Sequence, residues 1–285
     1  MSAALVIVYA CLAAVEVVVI VAWVSATRRH RWPFRPSTGD VVIGGVTSFL
    51  DTLGIGNYAQ ITALFKLRGH PPDELIPGTL NVGNAVGIFF SAALFITTVQ
   101  VEPILLMTMV ISAGAGAWIG AGIVSRMRRR VIQVFMGVAL LIAASVFTLA
   151  NLGALPVGGT AMALAGWRFY FAIGANLVFG ALMSVGIGLY APCMIMLALL
   201  GLNPLAAFPI MMGACGLVQP VAGLRFFATG RFAWGPATGL ILGGVVGVLL
   251  AAFVVKQLPV TALRWLVIVV VTYASVMMLR SARQR

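Results

Sequence analysis

The sequence predicts an all-α polytopic membrane protein, and its composition supplies the main observations behind that fold class. Hydrophobic residues make up 62% of the 285 residues, and charged residues make up only 8%. Soluble domains carry about a quarter charged residues. The mean hydropathy is +1.11. Because so few charges cannot cover a water-facing surface, lipid is the expected solvent for most of the chain.

The first element is an apolar run at residues 3–26, which exceeds the roughly 20 residues that a crossing requires. Arg28, Arg29 and Arg31 follow it, as expected for a retained anchor whose N-terminus lies outside. Glu16 in its middle should face protein, because a carboxylate facing lipid is costly. Further runs of crossing length occur at 77–98, 104–125, 131–150, 205–228, 235–255 and 262–279.

Two other apolar stretches, residues 40–67 and 168–200, are interrupted near their centres by Gly54-Ile55-Gly56 and Gly186-Ile187-Gly188. Glycine pairs loosen a helix and let other groups approach its backbone. Non-helical backbone survives in a membrane only where protein or a watery cavity covers it. Each stretch is therefore either one broken crossing or a re-entrant hairpin.

The distribution of basic residues favours the hairpins. With both stretches re-entrant, only three of the 18 Lys and Arg residues lie outside: Arg168, Lys256 and Arg264. If both stretches cross instead, the cluster at 126–130 is stranded outside, against the positive-inside rule. The sequence therefore predicts about seven transmembrane helices plus two re-entrant hairpins. The protein should reside in the cell membrane, with its C-terminus in the cytoplasm.

An internal repeat connects the two breaks, because the second Gly-Ile-Gly lies 132 positions after the first. The same offset pairs Tyr58 with Tyr190, Gly69 with Gly201, Pro72 with Pro204, and Pro77 with Pro209. A unit of one hairpin and three crossings must be inserted upside down in its second copy. Such inverted repeats, with broken helices at a midplane site, are typical of secondary transporters.

This organisation divides the chain into four parts. They are an N-terminal anchor with a basic cytoplasmic loop at 1–36, a first transporter repeat at 37–151, an extracytoplasmic linker at 152–166, and a second, inverted repeat at 167–285.

The residues around the two breaks resemble the sulfite-exporter (TauE/SafE, or TSUP) family of membrane transporters. The matching stretches are Leu53-Gly54-Ile55-Gly56-Asn57-Tyr58 and Val185-Gly186-Ile187-Gly188-Leu189-Tyr190-Ala191-Pro192. The resemblance covers roughly residues 40–280. Where this family usually continues with further glycines, this chain has Asn57-Tyr58 and Leu189-Tyr190. The resemblance implies an exporter of sulfite, thiosulfate, an organosulfonate or a related small anion.

The second arms of the hairpins, residues 57–67 and 189–200, should begin inside the membrane. A helix N-terminus offers unpaired N–H groups and about half a positive charge, so two converging N-termini would form a nest for an anion. The candidate substrate-binding residues are Gly54, Gly56, Asn57, Tyr58, Gln60, Asn81, Asn84, Gly186, Gly188, Tyr190, Cys193, Cys215 and Gln219. The alternative for the Asn and Gln residues is hydrogen bonding between helices.

Asp51 is the only carboxylate beside a break, which makes it a candidate for proton coupling; the alternative is a protonated or hydrogen-bonded structural acid. The three cysteines, Cys11, Cys193 and Cys215, lie inside apolar runs. An odd number at such places favours buried thiols over a disulfide framework.

Enzymatic function is not expected, because His30 and His70 lie outside the spans and H-E-x-x-H and G-x-S-x-G are absent. No metal or other cofactor is expected either. The net charge is +12, and the basic residues lie in short clusters between the apolar runs. This distribution is typical of cytoplasmic loops rather than of a nucleic-acid-binding surface. The expected partners are a small anionic solute and membrane lipids, and a homo-oligomer stays open. An anion channel and a non-transporting helper of a membrane complex remain alternatives.

Overall fold

The protein is helical throughout the part that the computed structural model describes: residues 3–29, 35–53, 56–154 and 159–254, with a few positions between 268 and 283. About 82% of it is helix, and no strand forms among these residues. The helices are α1 (Ala3–Arg29), α2 (Thr38–Thr52), α3 (Tyr58–Arg68), α4 (Ile76–Thr98), α5 (Pro103–Val124), α6 (Arg129–Asn151), α7 (Trp167–Met183), α8 (Tyr190–Leu199), α9 (Pro204–Thr229) and α10 (Trp234–Val254).

Six of these helices, α1, α4, α5, α6, α9 and α10, are long and apolar enough to cross a membrane. They coincide with the first six predicted crossings, so the prediction of an all-α membrane protein is confirmed at that level. The seventh predicted crossing, 262–279, falls largely outside the described residues, as do Gly54 and Ile55 at the first break.

Both glycine-broken stretches fold back on themselves. Arg68 at the end of α3 donates from Nη1 to Asp40 Oδ1 at 2.7 Å and from Nη2 to Ser37 Oγ at 3.1 Å, at the start of α2. Similarly, Arg168 at the start of α7 donates to the carbonyl of Leu200, just after α8, at 3.3 Å. Each pair of short helices therefore begins and ends at the same end of the bundle.

Each hairpin packs in parallel against a long helix from the other half of the chain. Along α2 and α10, Asp40 lies beside Gly239, and Gly45 lies beside Gly243 and Gly247. Because the residue numbers of the contacting pairs increase together along both helices, α2 and α10 run in the same direction. Gly243 and Gly247 make this close packing possible, since no side chain separates the two backbones here.

The α7–α8 hairpin packs in the same way against α5. Asn176 Nδ2 donates to the Met109 carbonyl at 2.7 Å, and Ser184 Oγ donates to the Ala117 carbonyl at 3.1 Å. Gly116 and Gly120 have a similar packing role, because both lie directly against the α7 backbone. The two hairpins are thus held by equivalent neighbours, α10 and α5.

The centre of the bundle is an antiparallel contact between α4 and α9. Gly223 lies against Asn81, while Gly216, earlier in α9, lies against Ala92, later in α4. The anchor helix α1 covers this pair from outside and packs chiefly on α9. Glu16 is only 4% exposed, which confirms that it faces protein.

Three acids lie at helix starts. Asp40 forms a capping box with Ser37, and Glu102 accepts hydrogen bonds from two backbone N–H groups as the N-cap of α5. Near the start of α4, Asp73 pairs with Lys66 at 2.7 Å. Asp73 also accepts a hydrogen bond from Gln133 of α6 at 2.7 Å. Together with the Arg68–Asp40 pair, the bonds of Asp73 tie α2, α3, α6 and the start of α4 together at one end of the bundle.

Residues 159–166 of the linker are ordered by the α8–α9 turn. Gly159 N–H donates to the Leu202 carbonyl at 3.1 Å, and Asn203 N–H donates to the Ala161 carbonyl at 2.7 Å. The linker also reaches the α4–α5 turn, where Glu102 N–H donates to the Met162 carbonyl. It therefore closes the end of the bundle opposite to Asp73.

Replacing Gly243 with Ala should destabilise the protein, because the new methyl would collide with the Val41 carbonyl. Overpacking of this kind costs about 1–3 kcal/mol. Gly174→Ala is the matched control, since that α7 glycine has open space around it, and alanine is favoured in helices by about 1 kcal/mol. Thermal unfolding in detergent measures both; equal melting temperatures would contradict the close α2–α10 contact.

Single cysteines at Ser37 and His70, in a background without Cys11, Cys193 and Cys215, should react with an impermeant thiol reagent from the same side of a vesicle. Both positions are exposed, and the Arg68 bonds bring the two ends of the α2–α3 hairpin together. A cysteine at Thr160 marks the opposite end of the bundle. Labelling of Ser37 and His70 from opposite sides would show that this stretch crosses the membrane.

Candidate functional site

The two breaks have backbone conformations that explain their glycines. Gly56, just before α3, has φ +75°, and Gly186, between α7 and α8, has φ +102°. Residues with a β-carbon rarely adopt these values, whereas glycine does so at little cost. The glycine-rich breaks are therefore needed to turn each hairpin inside the bundle.

The two breaks face each other across the bundle. A β-carbon placed on Gly56 would lie 3.9 Å from Tyr190 Cβ, and one placed on Gly188 would lie 3.9 Å from Tyr58 Cβ. Tyr58 and Tyr190 are the first residues of α3 and α8. This reciprocal packing brings the starts of the two short helices together, as the sequence predicts.

Neither helix start is capped by the side chain of its own N-cap residue. Asn57 precedes α3 and Leu189 precedes α8, and both have helical backbone angles without a side-chain cap hydrogen bond. The first N–H groups of a helix have no partner within the helix, and they carry the positive end of its dipole. The arrangement therefore presents two partial positive charges in one buried place.

Asp51 lies beside the first break, in the last turn of α2. Its side chain is 2% exposed, and it accepts a hydrogen bond from the backbone of Asn57. It also interacts electrostatically with Tyr58, Tyr190 and Cys215. The other carboxylate oxygen, Oδ1, has no hydrogen-bond partner among the described residues. The carboxyl group thus occupies the start of α3 itself.

The amide side chains near the breaks are oriented by their own helices. Asn81 Nδ2 donates to the Pro77 carbonyl at 2.8 Å, and Asn84 Nδ2 donates to the Leu80 carbonyl at 2.9 Å. Gln60 Nε2 donates to the Gly56 carbonyl. Each amide therefore donates one N–H to a backbone carbonyl, and its second N–H remains for another acceptor.

The tyrosine hydroxyls are also engaged. Tyr58 donates to Asn81 Oδ1 at 2.9 Å, which connects the first break to α4. Tyr190 donates to Met212 Sδ, which connects the second break to α9. Each tyrosine therefore packs against the opposite break, while its hydroxyl binds one of the two central helices, α4 or α9.

Sulfur atoms surround the second break. Cys215 Sγ lies 3.8 Å from Met183 Sδ, and Cys193 interacts electrostatically with Cys215. All three cysteines are free thiols, as predicted. The sequence did not single out Met183 or Met212, because methionine is a common filler of apolar cores and nothing in its spacing distinguishes these two.

The structure thus gathers most of the predicted site residues into one cluster, here called the junction: Asp51, Gly56, Asn57, Tyr58, Gln60, Asn81, Gly186, Gly188, Tyr190, Cys193 and Cys215. Asn84 and Gln219 are buried, and each leaves its side-chain oxygen without a described partner. No hydrogen bond among the described residues joins these two side chains to the junction. Gly54 lies outside the described residues. Within the described ranges, His, Cys, Asp and Glu form no group that could hold a metal ion.

No family model, curated protein or solved structure matches this chain.

Replacing Gly186 with Ala should destabilise the protein, whereas Gly188→Ala should be tolerated. Gly186 has a left-handed φ, and its new β-carbon would lie 2.8 Å from Met136 Cε. Strain of this kind costs about 1–3 kcal/mol. Gly188 has no positive φ, and its β-carbon would make only ordinary contact with Tyr58. Thermal unfolding of both purified variants checks the difference; similar losses would mean that the second break has another shape.

Proposed function

We propose that the protein is a secondary transporter of a small sulfur-containing anion such as sulfite, thiosulfate or an organosulfonate, bound at the junction. The observation that carries this proposal is the meeting of two helix starts, at Tyr58 and Tyr190, neither of which is capped by the side chain of its own N-cap residue. Helix N-termini bind anions through backbone N–H groups and the helix dipole. The resemblance of the two breaks to the sulfite-exporter family narrows the solute to sulfur oxyanions and sulfonates.

The helix directions support the inverted repeat on which a transporter would depend. The offset of 132 relates α4 to α9, and these two helices run antiparallel. The same offset relates α2 to α7 and α5 to α10. The parallel pair α2–α10 therefore corresponds to the parallel pair α7–α5. Two halves related in this way would place the junction on a pseudo-twofold axis, where transporters of this kind bind their solutes.

The charges at the ends of the bundle support an orientation in a cell (inner) membrane. Lys66, Arg68 and Arg129 lie at the end where α2 begins and α3 ends. By the positive-inside rule this end is cytoplasmic. The α2–α3 hairpin would then enter from the cytoplasm and the α7–α8 hairpin from outside. This orientation places the N-terminus outside and, with the predicted crossing at 262–279, the C-terminus in the cytoplasm.

The chemistry of the junction favours modest rather than tight binding. Lys66, Arg68 and Arg129 pair with Asp73, Asp40 and Glu74 at the bundle end. The anion would be held by helix dipoles, which act as about half a charge each, and by the remaining amide N–H groups. A weakly held solute can also be released, which transport requires.

Solute flux tests the proposal. The purified protein in proteoliposomes should take up labelled thiosulfate or sulfite with a rate that saturates as the solute concentration rises. Flux that never saturates would identify an anion channel instead. Absence of both flux and anion binding in a well-folded preparation would overturn the proposal, and a co-purifying membrane complex would then favour the helper function.

Asn57→Asp should weaken thiosulfate binding at least about tenfold, which corresponds to 1.4 kcal/mol. Asn57 is 4% exposed and directly precedes α3, so a carboxylate there would repel an anion in a poorly screened place. Asn57→Gln changes the shape without adding charge and should have a milder effect. Titration of the purified variants measures both affinities. A cationic or neutral solute would reverse the order, with Asp tolerated or favourable.

A further inference from the structure

We propose that Asp51 must take up a proton before the anion binds, so that an anion and a proton cross the membrane together. This inference rests on the proposed function, because it concerns the same junction. Three observations lead to it: what Asp51 contacts, which charges surround it, and where it lies along α2.

Asp51 already occupies the position that an anion would take. Its carboxyl group accepts a backbone hydrogen bond from Asn57, immediately before α3. In its ionised form it is a resident anion at the positive end of that helix. A solute anion must compete with it for the same N–H group and the same dipole. Once protonated, the side chain loses its charge and releases this helix start to the solute.

Among the described residues around Asp51 there is no cation that would let both negative charges stay. The titratable groups that interact with it are Tyr58 of α3, Tyr190 of α8 and Cys215 of α9, with Cys193 next to Cys215. Helices α4 and α10, which also pack on α2, contain no titratable residue. All of these groups are neutral or become negative. An ionised Asp51 and a bound anion would therefore repel each other without compensation.

The position of Asp51 along α2 adds to this effect. It lies in the last turn, where the helix dipole places a partial negative charge. The C-terminal end of α2 thus disfavours an ionised carboxylate, while the start of α3 favours one. A solute anion that takes over the start of α3 removes the favourable contribution and leaves the unfavourable one, so its arrival promotes protonation of Asp51.

The step balances in atoms and charge. A proton from water adds to the Asp51 carboxylate and forms the neutral acid, the Asn57 N–H turns to the anion, and no other bond changes. On the other side of the membrane the anion leaves, and the acid returns its proton to water. One proton therefore accompanies each anion in the same direction, and the combined gradients of the two determine the net direction.

Thiosulfate is the suitable probe, because its own protonation lies far below the range from about pH 5 to about pH 9 in which the experiment is done. Its affinity for the purified protein should fall as the pH rises, approaching about tenfold per pH unit once Asp51 is ionised in the free protein. In weakly buffered detergent solution, a pH-indicator dye should record uptake of about one proton per thiosulfate bound under those conditions.

Three variants assign the proton. Asp51→Asn should bind thiosulfate with an affinity that does not change with pH and should take up no proton. Asp51→Glu keeps the acid and should keep the uptake, with a displaced pH midpoint. Glu16→Gln is the matched control: it removes another buried carboxyl group, whose two oxygens have no described partner, and it should behave like the unmodified protein.

The outcomes separate this inference from the proposed function. Thiosulfate binding without proton uptake, or uptake that persists in Asp51→Asn, overturns the role of Asp51 and leaves the anion site standing. Loss of uptake in Glu16→Gln alone transfers the coupling to α1 and also overturns it. If neither thiosulfate nor sulfite binds at any pH, the anion site itself fails. Should Asp51→Asn not fold, an unchanged pH midpoint in Asp51→Glu overturns the inference.

Discussion

The need to satisfy backbone polar groups at two helix breaks inside an apolar bundle is the constraint on which the rest of the structure depends. Lipid offers such groups no partner, so irregular backbone must be covered by protein. Here each break covers the other, with Tyr58 packed on Gly188 and Tyr190 packed on Gly56. The hydroxyls of both tyrosines bind the central helices. The same contacts that stabilise the breaks also bring the two helix starts together.

Glycine determines how firmly the hairpins are held. Where α2 meets α10, Gly45, Gly243 and Gly247 let the two backbones touch. Gly116 and Gly120 of α5 do the same for α7. Close helix contact through small residues is the usual way in which membrane helices associate. Each hairpin is therefore fixed by a long helix from the other half of the chain, so the two proposed repeats cannot form their sites independently.

The sequence predicted the helices and the position of the breaks well, because hydropathy and paired glycines report directly on backbone environment. It predicted the cluster around Tyr58 and Tyr190 through the offset between the two breaks. It did not predict that Asn81 and Asn84 would each donate to the carbonyl one turn earlier. That outcome depends on rotamers and local backbone geometry, which residue types do not encode. Met183 escaped notice for a similar reason, since its contact with Cys215 arises only in three dimensions.

The junction combines opposite charges, and this combination bears on how a solute could be both bound and released. The end of α2 and Asp51 contribute negative charge, while the starts of α3 and α8 contribute positive charge. A lysine in the same place would neutralise Asp51 permanently and hold an anion strongly. Partial charges that a proton can unmask give two alternative states of the junction instead. In one state Asp51 occupies the start of α3, and in the other the solute does, so pH and solute concentration decide between them.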